Sequence, residues 1–352
     1  MKQSAGIADH RFQKAPGFSR GNSFLPALLF IFLLFALVGN LYAQNEPEAC
    51  VERGLNYFRE KLARGIMPGD GAFRNDSAIT ALVGMALLSS GSTPTEGPDA
   101  AAVQKCVDFI LKNQRKNGVL ASTAASEQGT VYAHGFAVTF LAECLGMSQD
   151  DSRLRTVLER GVQLIVKAQG PNGGWRYTFQ PGEEDVSVTA CFLNALRACR
   201  NAGISVPSET VQRGVEYLLK CQNSDGGFRY RLTPGPSAYP RTAAAVTGLC
   251  SAGIYDSPEI QRAMIYLRNS TLMPPDEDGY WFYAQYYAVQ AFRLTDTQPE
   301  VWNHWFALLV KRLRETQKPD GSWNSTISLD CATAMALIAI QAETNYLPIF
   351  QR

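Results

Sequence analysis

A turn of the form Gln-x-x-x-Gly-x-(aromatic or Leu) occurs four times in this chain, and a repeat of that length dictates the whole architecture. The copies run Gln114 to Leu120, Gln169 to Trp175, Gln222 to Phe228 and Gln317 to Trp323, at intervals of 55, 53 and 95 residues. The last interval holds two units, because the segment from Pro258 to Thr295 keeps a helical pattern without the glutamine. A degenerate first unit ends in Asp70-Gly71-Ala72-Phe73, which brings the count to six.

Each turn follows a helix with a shared register: Val51/Gly54/Leu55, Val103/Cys106/Val107, Leu158/Gly161/Val162, Val211/Gly214/Val215 and Ile260/Ala263/Met264, with Val301/His304/Trp305 as the sixth copy. Glycine inside a helix costs about 1 kcal/mol relative to alanine, so its recurrence there marks close contact with a neighbour. A second helix follows each turn: Ser77 to Leu88, Tyr132 to Leu145, Val186 to Cys199, Arg241 to Ala252, Trp281 to Leu294 and Asp330 to Ile340. These are apolar on nearly every side and so are expected to be buried on nearly every side. Six amphipathic and six apolar helices in hairpins close most simply into an all-α, α/α toroid, an inner ring of six within an outer ring of six. The alternative, an open solenoid, needs polar end caps, whereas the last unit ends in the apolar Tyr346-Leu347-Pro348-Ile349-Phe350.

The repeats occupy residues 44–352 as a single domain. Ahead of them Lys2, Arg11, Lys14 and Arg20 precede the apolar run Phe24 to Val38, which reads as a signal peptide over residues 1–43 cut after Ala43. The other reading is an uncleaved anchor over residues 24–42, although fifteen apolar residues fall short of the roughly 20 that span a bilayer. Either way the body is expected to be exported, to the periplasm or beyond, with membrane contact only through that segment. All eight cysteines lie in the body, at helical positions that suit buried thiols; if any pair bridges, Cys144 and Cys199 are the best placed. With 33 basic against 32 acidic residues and no basic cluster, the chain has no footprint for nucleic acid.

The Gln-x-x-x-Gly-x-Trp turns between paired helices resemble the repeats of the protein prenyltransferase and squalene/oxidosqualene cyclase superfamily, over about residues 48 to 342. That resemblance implies the α/α toroid and a lumen for an isoprenoid-like small molecule. The cyclases carry their general acid in Asp-x-Asp-Asp-Thr-Ala, where this chain reads Asp185-Val186-Ser187-Val188-Thr189-Ala190. The prenyltransferases hold zinc with Asp-x-Cys and a histidine; here Asp330 and Cys331 are adjacent, about 100° apart on a helix, and His134 precedes them. Neither an intact acid motif nor a zinc site is expected, and no metal or other cofactor is implied.

Aligned by register, the second helices place Thr80, His134, Thr189, Thr242, Gln285 and Thr333 in one polar layer. Its threonines can bond back to the carbonyl one turn earlier. If the lumen has a function, the expected site is His134, Asp185, Arg241, Tyr283 and Asp330, since a closed ring directs the starts of five inner helices toward one mouth. An arginine after the turn aromatic, at Arg74, Arg176 and Arg229, either stacks on the ring or forms a rim for anions. Two other readings stay open: a noncatalytic scaffold with a protein partner, and a carbohydrate-active toroid, which needs paired carboxylates such as Asp185 with Asp330.

Overall fold

The computed structural model describes residues 47–122, 126–270, 280–295 and 298–352; the leader and the segment 24–42 lie outside them. The outer helices are α1 (47–63), α3 (Ala100–Lys112), α5 (Asp151–Ala168), α7 (Ser208–Lys220), α9 (Pro258–Asn269) and α11 (Pro299–Thr316). The inner ones are α2 (Ser77–Leu88), α4 (Glu127–Cys144), α6 (Val186–Asn201), α8 (Tyr239–Ser251), α10 (Trp281–Thr295) and α12 (Leu329–Ile340). Helix α7 shows the outer type: Thr210, Gly214, Val215, Tyr217 and Leu218 are buried while Glu209, Gln212 and Glu216 face solvent. Helix α2 shows the inner type, buried at every residue but Ala78. Each inner helix packs on the next and α12 packs back on α2, so the ring is closed. Helix α4 starts five residues earlier than its apolar run suggests, because Ser126 caps it by accepting the Gly129 N–H at 3.0 Å.

The recurrent turn is the stitch that holds the outer ring. Gln169 Nε2 donates to its own turn at Gly173 O and to Thr210 O of α7, both at 2.8 Å. Gln222 does the same to Gly226 O and Glu259 O of α9, at 2.9 and 2.8 Å. Gln317 binds Gly321 O at 3.0 Å and Cys50 O of α1 at 2.8 Å, which joins the last unit to the first. Arg213, Arg262 and Arg53 donate back to the three glutamine Oε1 atoms. Only glycine fits the turn: Gly173 has φ +101°, and a Cβ there would lie 2.2 Å from the Arg213 carbonyl. The outer-helix glycines answer to the inner helix and the turn aromatic together: a Cβ on Gly54 would strike Leu337 at 2.7 Å and crowd Trp323, and one on Gly214 would crowd Leu193 and Trp175.

Beyond α12 the chain makes two short 3₁₀ turns, Ala342–Thr344 and Pro348–Phe350. Leu347, Ile349 and Phe350 are buried, and the second turn packs on both α6 and α10, which α8 separates in the ring. Arg197 of α6 donates to Gln351 O, and Arg352 Nε donates to Leu294 O of α10 at 2.8 Å. The tail therefore covers the end of the ring at the inner-helix C-termini. All eight cysteines are free thiols, Cys144 and Cys199 included, so the bridge weighed for that pair is absent.

Candidate ligand site at the mouth of the inner ring

The polar layer faces the turns. The hydroxyls of Thr189, Thr242 and Thr333 accept the backbone N–H of Trp175, Phe228 and Trp323 at 3.0, 2.9 and 3.0 Å. Each also donates to the carbonyl four residues earlier, at 2.7 to 2.8 Å. His134 fills the same role with its ring: Nδ1 accepts the Leu120 N–H at 3.1 Å, which leaves the proton on Nε2 to donate to Gly161 O at 3.3 Å. It is fully buried, and burial lowers its pKa to about 4. The structure thus places His134 between inner helix and turn, away from the lumen.

The lumen face lies two residues earlier, about 200° around each helix. Ala78, Tyr132, Ser187, Pro240, Tyr283 and Cys331, one from each inner helix, all keep accessible surface, while all six residues of the polar layer are buried. By register these six positions share one face of the inner helices and carry two phenols, a hydroxyl, a thiol, a proline and a methyl group. One turn further in, Phe136, Cys191 and Tyr287 are buried. Tyr283, Tyr287 and Tyr286 form a chain of edge contacts with centroids 4.9 and 4.8 Å apart, and Tyr286 continues it to Phe136 at 5.9 Å. The Tyr283 hydroxyl is buried beside Ser187 and Tyr132 without a formed hydrogen bond. Deeper still, Asn194 of α6 donates across the ring to Gln290 of α10 at 3.0 Å.

Of the expected site residues, Asp185 and Arg241 come together, on either side of Tyr230. Asp185 caps α6 by accepting the Val188 N–H at 2.9 Å, and its other oxygen accepts the Tyr230 hydroxyl at 3.3 Å, with Arg176 Nε 3.7 Å away. Tyr230 also bonds Tyr177, and the Arg241 guanidinium stands 6.0 Å from its ring while donating to Phe228 O and Pro236 O. Burial pushes the Asp185 carboxyl up to about 6, against the opposing pull of the Val188 N–H, Arg176 and Tyr230.

Asp330 belongs elsewhere. Lys61 Nζ reaches its two oxygens at 2.7 and 2.5 Å, Tyr57 donates at 2.6 Å and the Gly69 N–H at 2.7 Å. A carboxylate so occupied cannot pair with Asp185 for glycoside chemistry, nor join His134 and Cys331 around zinc. Among the described residues no three His, Cys, Asp or Glu side chains gather as metal ligands. Sequence reasoning missed Glu143 and Arg197, charged residues inside two apolar inner helices. Both Glu143 oxygens and Arg197 Nη1 are buried without hydrogen-bond partners among the described residues, and burial, opposed by Arg197, pushes Glu143 up to about 8. The signal was present as a lone charge in each of Phe140-Leu-Ala-Glu143 and Ala195-Leu-Arg197.

The family model of the squalene-hopene cyclase C-terminal domain matches residues 137–308. A probable squalene-hopene cyclase from Sinorhizobium fredii is 30% identical over 42% of this chain and 23% of its own length. An alpha-2-macroglobulin from Escherichia coli is 27% identical over 49% of this chain and 9% of its own. The chain spans about a fifth of the cyclases it matches. A type II terpene cyclase from Scytonema, solved with its substrate geranylgeranyl dihydroxybenzoate, has the same fold, with TM-score 0.60 at 16% identity over 87% of this chain and 98% of that one. Over residues 137–308 the chain is thus similar to the squalene-hopene cyclase C-terminal domain, and its closed double ring with Gln-x-x-x-Gly stitches has the α/α toroid fold of the terpene cyclase.

Proposed function

We propose that this toroid binds an isoprenoid-like molecule in the mouth ringed by Tyr132, Ser187 and Tyr283, and does not start squalene-type cyclisation. The observation that carries the reading is the lumen position of Ser187. In the cyclase pattern that position is the central carboxylate of Asp-x-Asp-Asp-Thr-Ala, and here it is a hydroxyl beside the buried Tyr283 hydroxyl. Aromatic walls with a few unpaired polar groups are the usual form of a small-molecule site. Asp185, Tyr230, Arg176 and Arg241 stand at the rim to meet a polar end of the ligand. In this reading the domain works outside the cytoplasm, delivered by the leader over residues 1–43.

Untargeted mass spectrometry of lipids that co-purify with the protein, alongside incubation with squalene, tests the proposal. It predicts an enriched isoprenoid and no polycyclic product. Polycyclic product from squalene would overturn the argument from Ser187. The similarity to alpha-2-macroglobulin favours a second reading, a toroid used as a protein-binding surface; an empty lumen with a stably co-purifying protein would select it.

A further inference from the structure

We infer that the seam between the first and second hairpins is a second ligand site, separate from the lumen, for an amphiphilic anion: a phosphate or carboxylate on an apolar body. The first turn lacks the stitch made by the Gln169, Gln222 and Gln317 turns; in the second turn, too, Gln114 Nε2 is buried without a partner among the described residues, although there Gly118 still packs on Leu164 of α5. Met67 stands four residues before Gly71, where the other turns have glutamine. The turn leans back on α12, with the Gly69 N–H on Asp330 at 2.7 Å and Asp70 Oδ2 accepting the Asp330 N–H at 2.8 Å. A Cβ on Gly71 would meet nothing within 4 Å, whereas one on Gly173, Gly226 or Gly321 would strike an outer-helix carbonyl at 2.2 to 2.4 Å. Without the stitch, the seam opens into a cleft of about 460 Å³.

Its lining is chemically one-sided. Met67 and Phe109 form an apolar floor; Arg74 and Lys112 supply two cations, Asn113 and Ser122 add polar groups, and among the described residues no carboxylate lines it. Arg74 occupies the place after the turn aromatic that Arg176 and Arg229 hold in later units. Arg176 is taken up by Glu183, and Arg229 by Lys220 O, Arg231 O and Asn223. Neither Arg74 nor Lys112 makes a hydrogen bond or ion pair among the described residues. The turn aromatic itself is displaced: Phe73 is 36% exposed, where Trp175, Phe228 and Trp323 are 0%. Beside it Asn75 holds a left-handed backbone, φ 56°, which a non-glycine residue adopts at an energetic cost and which is enriched at functional sites. Two unpaired cations above an apolar floor favour an anion that also carries apolar surface.

Calorimetric titration of the full chain with dodecyl phosphate, below its micelle concentration, tests the inference. Parallel titrations use inorganic phosphate and dodecanol. The expected result is a class of sites that binds dodecyl phosphate at least tenfold more tightly than either fragment. That class should weaken at least tenfold in Arg74→Gln/Lys112→Gln, with the unfolding temperature unchanged because both side chains are exposed, and should persist in Asp185→Asn. Absence of binding, equal affinity in the double variant, or loss in Asp185→Asn instead would overturn it. Inorganic phosphate binding as tightly as dodecyl phosphate would overturn the amphiphile and leave a site for a free anion.

Discussion

Asp185 and Asp330 are both fully buried acids at the start of inner helices, α6 and α12, yet they do different work. Asp330 is saturated by an ammonium, a phenol and a backbone N–H, all within 2.7 Å. Asp185 has one cap bond at 2.9 Å and a long tyrosine bond at 3.3 Å, with its nearest guanidinium at 3.7 Å. Burial and helix position do not separate a saturated acid from a sparsely bonded one; the number and quality of its partners do.

The largest expected effect breaks the saturated side of that pair. Lys61→Met leaves the buried Asp330 carboxylate without its cation, and denaturant unfolding should show a loss of about 3–5 kcal/mol. The matching change at the other acid, Arg176→Met, should cost under about 1 kcal/mol, because the closer partner of Arg176 is the largely exposed Glu183. Equal losses would erase the distinction.

Next comes pH. The Asp185 carboxyl, raised from 3.8 to about 6, holds its proton more tightly in the folded protein. Its contribution to stability is fully present below about pH 3.8 and is lost as pH rises through about 6. The stability of the wild type relative to Asp185→Asn should therefore fall by about 2–3 kcal/mol between pH 4 and pH 7. A flat difference would mean that the carboxyl is not held in a dry site. Smallest is Tyr230→Phe, expected to cost about 1 kcal/mol or less. Because Tyr230 stabilises the ionised form, its loss should move the Asp185 titration seen by NMR to higher pH.

The closed ring was legible in the sequence because six units repeat two visibly different helices, and three of the four turn glutamines, Gln169, Gln222 and Gln317, proved to be its stitches. The lumen face was harder to read. An amphipathic helix such as α7 announces its inward side, but α2 and α12 are apolar all round, so nothing in their pattern marks which residues look into the lumen. The most conspicuous polar positions, His134 and the threonines, drew the reading to the face that binds the turns, 200° from the mouth. Asp185 was legible as a candidate at the start of an inner helix, and Arg176 as one of the recurrent arginines after the turns. Their meeting depended on loops whose path no periodicity encodes. Asp330 was misread for the same reason, since Lys61, Tyr57 and Gly69 reach it from more than 260 residues away in sequence.

The central claim is that the ring of residues two positions before the polar layer is where a ligand enters. Calorimetric titration of geranylgeraniol into the wild type and into Ser187→Phe, which fills the mouth from a half-buried position, tests it most directly. The wild type is expected to bind, and the variant to bind at least tenfold more weakly at the same unfolding temperature. Equal binding by the two proteins, or none by the wild type, would contradict it.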